Sequence, residues 1–345
     1  MTDDTFFRGE DEQPAKGKRR KKRLRERWLL LSIVGVLGVA LLVAAAFAGY
    51  YGKAAKDALD SIDREPTLMP TSTENRPQPV PTKEGESNPP LNFVLMGTDA
   101  RNPDERGRSD VLMVMHIPGD RKQAYLISLP RDYWVDIPGR GNAKINAAYS
   151  WGGPALTVET VEQLLDIPID HTAIINFEGF MSVIDALGGV TVVNRHVSSS
   201  DGFDFPKGPV ELTGESALRF VRERKNLPNG DFDRAERQRD VLKAIVSKLT
   251  SRGVLTNPGM FRDAVTTLGP NFTVDTGLDN NTIINLGLGM RINGGDDIKS
   301  LMAPTAGFGT SADKQSYVKV DGKKLDELAT ALRTDTMAEY YAANG

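Results

Sequence analysis

The sequence contains no cysteine and only three histidines, His116, His171 and His196. Disulfides, thiolate metal centres and cysteine nucleophiles are therefore excluded, and a histidine zinc site or a Ser-His-Asp triad has little material to draw on. A P-loop is also missing: GTDAR, at 97–101, lacks the G-x-x-x-x-G-K-[ST] spacing of a nucleotide triphosphatase. Outside one short stretch there is no surplus of positive charge. The 43 Lys and Arg against 46 Asp and Glu give a net of −3. Residues 1–27 hold ten basic and six acidic side chains, a net of +4 that leaves −7 for the remainder. So acidic a bulk argues against nucleic acid as a partner, which needs a basic face.

What is present begins with one long apolar run. WLLLSIVGVLGVALLVAAAFAGYY, from Trp28 to Tyr51, carries no charge over 24 positions. As a helix it spans about 36 Å, more than the ~30 Å of a hydrocarbon core. KGKRRKKRLRER just before it packs nine Lys and Arg into residues 16–27, against only Lys53 and Lys56 on the other flank. The positive-inside rule places the N-terminus in the cytoplasm and everything beyond Tyr51 outside. A cleaved signal peptide is the alternative, but its apolar region is much shorter than this one. Residues 57–90 contain seven prolines among Ser, Thr, Glu and Asn, a composition that predicts extended chain without a core. The expected organisation is a basic cytoplasmic segment (1–27), a transmembrane helix (28–51), a Pro-rich extracellular tether (52–90) and one extracellular domain (91–345).

Within that domain LNFVLMG, VLMVMHI and QAYLISL are short apolar runs without polar alternation, as in strands covered on both faces. HTAIINF, VTVVN, Ser300–Ala303 and Ser316–Val320 read as further strands. Helices are expected at Thr157–Leu165, Glu178–Leu187, Glu215–Val221, Phe232–Leu249, Pro258–Leu268, Asp279–Met290 and Lys324–Leu332. Alternating strands and helices predict a three-layer α/β domain, a central mixed sheet flanked by helices.

In such a sheet ligands gather beyond strand ends, and there Arg and Asp recur: Asp99 and Arg101 in GTDAR, Arg108 and Asp110 in GRSD, Arg131 and Asp132 in SLPRD. Asp99 and Asp110 are the candidates for a hard divalent cation, Mg²⁺ with Mn²⁺ as an alternative, because such ions take carboxylate oxygens from separate loops. VRERKNLPNGDFDRAERQR, from Val221 to Arg239, adds five arginines. Arg222 and Arg224, two apart on an extended exit from a helix, are expected to point one way and Glu223 the other. The Pro228-Asn229-Gly230 turn then feeds a helix with Asp231 as a plausible N-cap. Arg234, Arg237 and Gln238 are expected on one face of that helix. Arginine forks and a helix N-terminus suit a diphosphate, whose transfer needs positioning and charge neutralisation more than covalent help. A solvated charged helix is the plainer reading of the same residues.

NFVLMGTDAR, GRSDVLMVMHI, SLPRDYWVDIPG, KINAAYSWGG, FEGFMSVIDALGGVTV and VRERKNLPNGDFDRAERQ, present in order over about Asn92–Val246, resemble the LytR-CpsA-Psr family of cell-wall ligases. The resemblance implies transfer of a glycopolymer-1-phosphate from an undecaprenyl pyrophosphate carrier to the 6-hydroxyl of N-acetylmuramic acid in peptidoglycan. It implies that Asp99 and Asp110 hold Mg²⁺ and that Arg131, Arg222 and Arg224 bind the diphosphate. Asp231, Arg234 and Gln238 would complete the site, with Arg101, Arg108 and Lys144 nearby, and the polyprenyl tail would lie in an apolar channel between sheet and helices. The Ala/Gly-rich composition and basic N-terminus are similar to actinobacterial members, which points to teichoic acid, arabinogalactan or a capsule-like chain as the polymer. A non-catalytic receptor for polyprenyl pyrophosphate lipids, a polyprenyl pyrophosphatase and a transcriptional regulator are the competing expectations. The last has no helix-turn-helix on the cytoplasmic side to support it.

Overall fold

The computed structural model describes residues 49–72, 76–98, 109–292 and 294–345. Two compact units divide the chain, Met1–Gly52 and Lys53–Gly345, and the sheet with its flanking helices belongs to the second. The expected membrane span and the basic segment before it lie outside the described residues except for 49–51. Among the described residues no helix is long and apolar enough to cross a membrane.

In chain order the strands are β1 (Asp63–Arg64), β2 (Leu91–Thr98), β3 (Ser109–Ile117), β4 (Ala124–Ser128), β5 (Trp134–Ile137), β6 (Gly141–Lys144), β7 (His171–Asn176), β8 (Val190–Asn194), β9 (Ser198–Ser200), β10 (Phe203–Phe205), β11 (Gly208–Leu212), β12 (Phe272–Val274), β13 (Ile298–Met302), β14 (Thr305–Thr310) and β15 (Ser316–Val320). The α-helices are α1 (residues 49–60), α2 (Asn146–Leu165), α3 (Phe177–Ala186), α4 (Gly214–Arg222), α5 (Asp231–Leu249), α6 (Arg252–Leu255), α7 (Pro258–Leu268), α8 (Asn280–Gly289), α9 (Gly322–Arg333) and α10 (Met337–Asn344). Seven strands form one sheet in the order β1-β12-β7-β2-β3-β4-β13. β2 runs parallel to β7 and antiparallel to β3, while β4 runs antiparallel to β3 and parallel to β13. The sheet is mixed, as expected from the sequence.

Strand alternation sends Val94, Met96, Leu112, Val114 and Ile127 to one face, where they pack on Val158, Val161 and Leu165 of α2 and Leu325, Leu328 and Leu332 of α9. Phe93 and Ala173 face the other way and meet Ile283 and Leu286 of α8. Ile175 joins Val183, Phe220 and Val241 of α3, α4 and α5 on that side. Helices thus cover both faces, which is why the strands carry unbroken apolar runs. Emptying one of these positions, Leu328→Ala for example, costs about 2–5 kcal/mol.

Two local features depart from the sequence reading. α2 starts at Asn146 instead of Thr157 and is broken inside by Gly153, at φ 71° and ψ −160°, followed by Pro154. Glycine alone takes that conformation freely and proline lacks the N–H, so the break is written in the Gly152-Gly153-Pro154 sequence. The segment expected as an extended tether is also partly folded onto the domain. β1 pairs in parallel with β12, Leu68 and Val80 are buried, and Arg76 forms a forked ion pair with Glu162 (Nη2 to Oε1, 2.7 Å). Arg64 donates to Leu278 O and Asn280 Oδ1 at 3.1 and 2.6 Å, and Arg121 donates to Pro89 O at 2.8 Å. Composition alone missed this docking because it is carried by a few charged and apolar anchors within a proline-rich run.

Candidate functional site

The loop after β4 is fixed by main-chain hydrogen bonds. Leu129 N donates to Leu112 O, Asn146 N to Arg131 O and Val318 N to Asp132 O, at 2.9, 3.2 and 2.8 Å. On this anchored loop Arg131 Nε donates to Asp231 Oδ2 at 2.8 Å, and Asp231 Oδ1 lies 3.6 Å from Arg234 Nη2. Asp132 Oδ1 holds Lys144 Nζ at 3.0 Å, with Arg131 Nε 3.8 Å from its other oxygen.

Asp231 is not the N-cap of α5. Gly230 takes that position at φ 53° and ψ −111°, and Asp231 is the first helical residue. Asp233 reaches back to accept from Asn229 N and Nδ2 at 2.8 and 3.0 Å, so it braces the turn. This leaves the Asp231 carboxylate, at the favourable N-terminal end of the helix dipole, to orient Arg131.

Arg131, Asp231, Arg234 and Gln238 line one cavity of about 230 Å³, together with Ser128, Asn229 and the apolar rims Phe232 and Phe308. Ser128 Oγ accepts from Arg239 Nη1 at 2.8 Å. Burial pushes the Arg239 guanidinium down to about 10, which leaves it charged at neutral pH just behind the cavity wall. Next to this cavity, an apolar slot of about 30 Å³ runs between β2, β3 and helices α3, α4 and α5, past Leu95, Met113, Ile184, Leu218 and Leu242. Val111 and Gln238 line both spaces, so the surroundings change from charged to apolar across one side chain.

Arg222 and Arg224 line a different cleft, about 380 Å³, with Arg219, Glu223, Lys225 and Asn226. The chain leaves α4 in extended form at Glu223 (φ −63°, ψ 136°), as expected. Glu223 itself is buried and accepts from Arg224 N and Asn226 N at 2.8 and 3.2 Å. Burial opposes its ionisation, but these N–H groups outweigh that and hold its carboxyl below the usual range.

The expected common face of Arg234, Arg237 and Gln238 is not found. Arg237 turns into the protein, 4.1 Å above the Phe220 ring, and donates to Asn194 Oδ1 and Ser198 Oγ at 2.9 and 2.7 Å. Residues four apart on a helix diverge by about 40°, those three apart by about 60° in the opposite sense, so Arg234 and Gln238 share the cavity while Arg237 meets another environment. Burial lowers Arg237 to about 10.

Asp99, Arg101 and Arg108 lie outside the described residues, and Asp110 is placed only by its backbone in β3. Thr98, just before Asp99, pairs with Ser109, just before Asp110, at an irregularity in the ladder. Among the described residues no three His, Asp or Glu side chains gather as a metal site. Ser128, Asn229, Phe232 and Phe308 are cavity residues that the sequence reading did not single out. Ser128 directly precedes the LPRD loop, and Phe308 is the one bulky side chain in TAGFGT; both positions were visible signals.

The LytR_cpsA_psr family model matches residues 52–334. The polyisoprenyl-teichoic acid–peptidoglycan teichoic acid transferase TagU of Bacillus licheniformis is 32% identical over 317 residues, 91% of this chain and 98% of that protein. The crystal structure of Bacillus subtilis TagV matches at a TM-score of 0.61 and 28% identity, over 72% of this chain and 98% of that one. TagT bound to LI-WTA matches at a TM-score of 0.58 and 29% identity, over 77% of this chain and 98% of that one. With the family model matched along most of its length and a relative aligned nearly end to end, the chain belongs to the LytR-CpsA-Psr family.

Proposed function

We propose that the chain is a cell-wall phosphotransferase that moves a glycopolymer-1-phosphate from an undecaprenyl pyrophosphate carrier to the 6-hydroxyl of N-acetylmuramic acid in peptidoglycan. It works outside a membrane that it crosses once, with its N-terminus in the cytoplasm. The observation that carries this reading is the adjacency of the Arg131 cavity and the apolar slot, which share Val111 and Gln238 as lining residues. A diphosphate calls for oriented cations and a polyprenyl tail for apolar walls, and side chains of both kinds stand side by side here, with the slot, about 30 Å³, having to widen to admit a tail. The similarity to a polyisoprenyl-teichoic acid–peptidoglycan teichoic acid transferase and to TagT bound to LI-WTA supports a polymer-bearing donor and a peptidoglycan acceptor.

Arg131, aimed by Asp231, and Arg234 bind the diphosphate oxygens in this scheme. The acceptor hydroxyl oxygen forms a bond to the phosphorus that carries the polymer, and its proton passes to solvent water. The bond from that phosphorus to the bridging oxygen breaks, and polyprenyl phosphate leaves with the electron pair. Negative charge builds on the bridging oxygen, and fixed cations at that place lower the barrier. Arg222 and Arg224 enter the proposal as further diphosphate ligands on the strength of the family motif, as do Arg101, Arg108 and Lys144.

Asp99 and Asp110 are proposed to hold Mg²⁺, with Mn²⁺ able to replace it. Hard carboxylate donors fit either ion, and the Thr98–Ser109 pairing brings the residues before them together. When bound, the ion neutralises diphosphate charge.

The test is to incubate the full-length protein with Mg²⁺, a polyprenyl pyrophosphate-linked polymer and a peptidoglycan fragment. Release of polyprenyl phosphate that requires the fragment supports the proposal. Release without it indicates a pyrophosphatase, and binding without release indicates a receptor.

A further inference from the structure

A cleft of about 490 Å³ adjoins the Arg131 cavity and shares Arg131 and Asp132 with it. Three elements supply its walls. The β5–β6 hairpin gives Trp134, Asn142 and Lys144, the first turns of α2 give Asn146 and Trp151, and the turn between β14 and β15 gives Gln315.

Trp151 is 43% exposed and lines the cleft, so part of its indole is open to an occupant. Its setting is built by the fold. Gly153 and Pro154 break α2 two residues later, which makes 146–152 a short arm with its own direction. Trp134 stacks on Tyr317 with centroids 4.6 Å apart and planes at 28°, forming a stiff wall. Asp132 fixes Lys144 at 3.0 Å and offsets its charge, and Asp313 adds a carboxylate to the lining.

Two cations, Arg131 and Lys144, stand on this cleft against two carboxylates, Asp132 and Asp313, so its lining has no net positive charge to favour a phosphate-rich occupant. An exposed indole among carboxamides suits a pyranose. The C–H face of a sugar lies on the ring, while its hydroxyl and acetamido groups exchange hydrogen bonds with Asn and Gln, each both donor and acceptor. The β14–β15 hairpin borders both spaces, Phe308 on the Arg131 cavity and Gln315 on this cleft.

We propose that the cleft is the acceptor-side glycan subsite. Trp151 stacks on an N-acetylated sugar of the polysaccharide acceptor, and Asn142, Asn146 and Gln315 bond its amide and hydroxyl groups. A hydroxyl of that chain is thereby presented at Arg131. The inference rests on the transferase reading given above.

The experiment titrates the full-length protein with the β-1,4-linked tetrasaccharide of N-acetylglucosamine in the absence of donor, then measures transfer to a peptidoglycan fragment. Trp151→Ala should weaken tetrasaccharide binding and raise the acceptor KM by about tenfold, with the donor KM unchanged, and Trp151→Phe should restore most of both. No tetrasaccharide binding by the wild type, or equal binding and equal acceptor KM in Trp151→Ala, overturns the subsite. Binding that depends on Trp151 in a protein that performs no transfer upholds the glycan site and overturns the transferase reading instead. Gln315→Ala, at a turn outside the core, gives a second variant with the same expected direction.

Discussion

Arg131 is held by the Asp231 carboxylate at 2.8 Å with Asp132 close by, and that pairing separates function from stability. The pair with Asp231 is partly exposed, at 21% and 32% of the two side chains, so breaking it should change stability by no more than about 1 kcal/mol. Arg131→Ala is nevertheless expected to slow transfer by about 10²-fold or more, because it removes charge at the reacting diphosphate. Transfer rates and melting curves measured on one preparation check both halves. Arg237→Ala is expected to behave in the opposite way, losing on the order of 2 kcal/mol with the donor KM little changed, since its hydrogen bonds go to Asn194 and Ser198 inside the protein. Arg131 could be read from the sequence because it follows a strand directly, where ligands collect. The separation of Arg237 from Arg234 could not, because helical spacing gives an angle and says nothing of the Phe220 ring waiting on one side.

The helices α3, α4 and α5 with strands β2 and β3 make the apolar slot, and its width is a property of their packing. Leu242→Trp, at a partly buried position on the slot, should obstruct a long polyprenyl tail. The expected result is a donor KM raised about tenfold for a long-chain carrier and much less for a short-chain analogue, the difference reporting the lost apolar contact. Equal effects on both would place the tail elsewhere. The strands and helices around this slot were legible because they are long and strongly patterned. The β5–β6 hairpin, β9 and β10 were not, being three- or four-residue pairs within turn-rich sequence, and the first turns of α2 were hidden behind their Gly-Gly-Pro break.

The domain is closed by a buried polar chain that links β2, β3 and the C-terminal helices. Asn92 Oδ1 meets His116 Nδ1 at 2.8 Å, His116 Nε2 meets Asp335 Oδ1 at 3.1 Å, and Gly119 N donates to Asp335 Oδ2 at 3.0 Å. Burial disfavours the Asp335 carboxylate, but the His116 and Gly119 hydrogen bonds outweigh that and hold its pKa below the ordinary value. A depressed carboxyl pKa gives stability that is present above the unfolded value, near 3.9, and lost as pH falls through the folded one. Asp335→Asn should therefore lower stability by about 3 kcal/mol at neutral pH, and its deficit relative to the wild type should shrink in melting curves taken below about pH 4. For the whole enzyme, chelation by EDTA should abolish transfer and added Mg²⁺ restore it, and Asp110→Asn should raise the Mg²⁺ needed by about tenfold or more. Persistence of full activity in excess EDTA would remove the cation from the account. The mixed α/β architecture was readable from strand and helix alternation, whereas the docking of residues 63–72 and 76–80 was not, since it depends on Arg64, Arg76 and Leu68 finding sites far along the chain.

The most direct measurement is mass spectrometry of peptidoglycan fragments after incubation with the full-length protein, Mg²⁺ and a polyprenyl pyrophosphate-linked glycopolymer. A phosphodiester between the polymer and the 6-position of N-acetylmuramic acid, formed one for one with released polyprenyl phosphate and lost in Arg131→Ala, is the predicted result. Polyprenyl phosphate released with unmodified fragments, or linkage undiminished in Arg131→Ala, would contradict it.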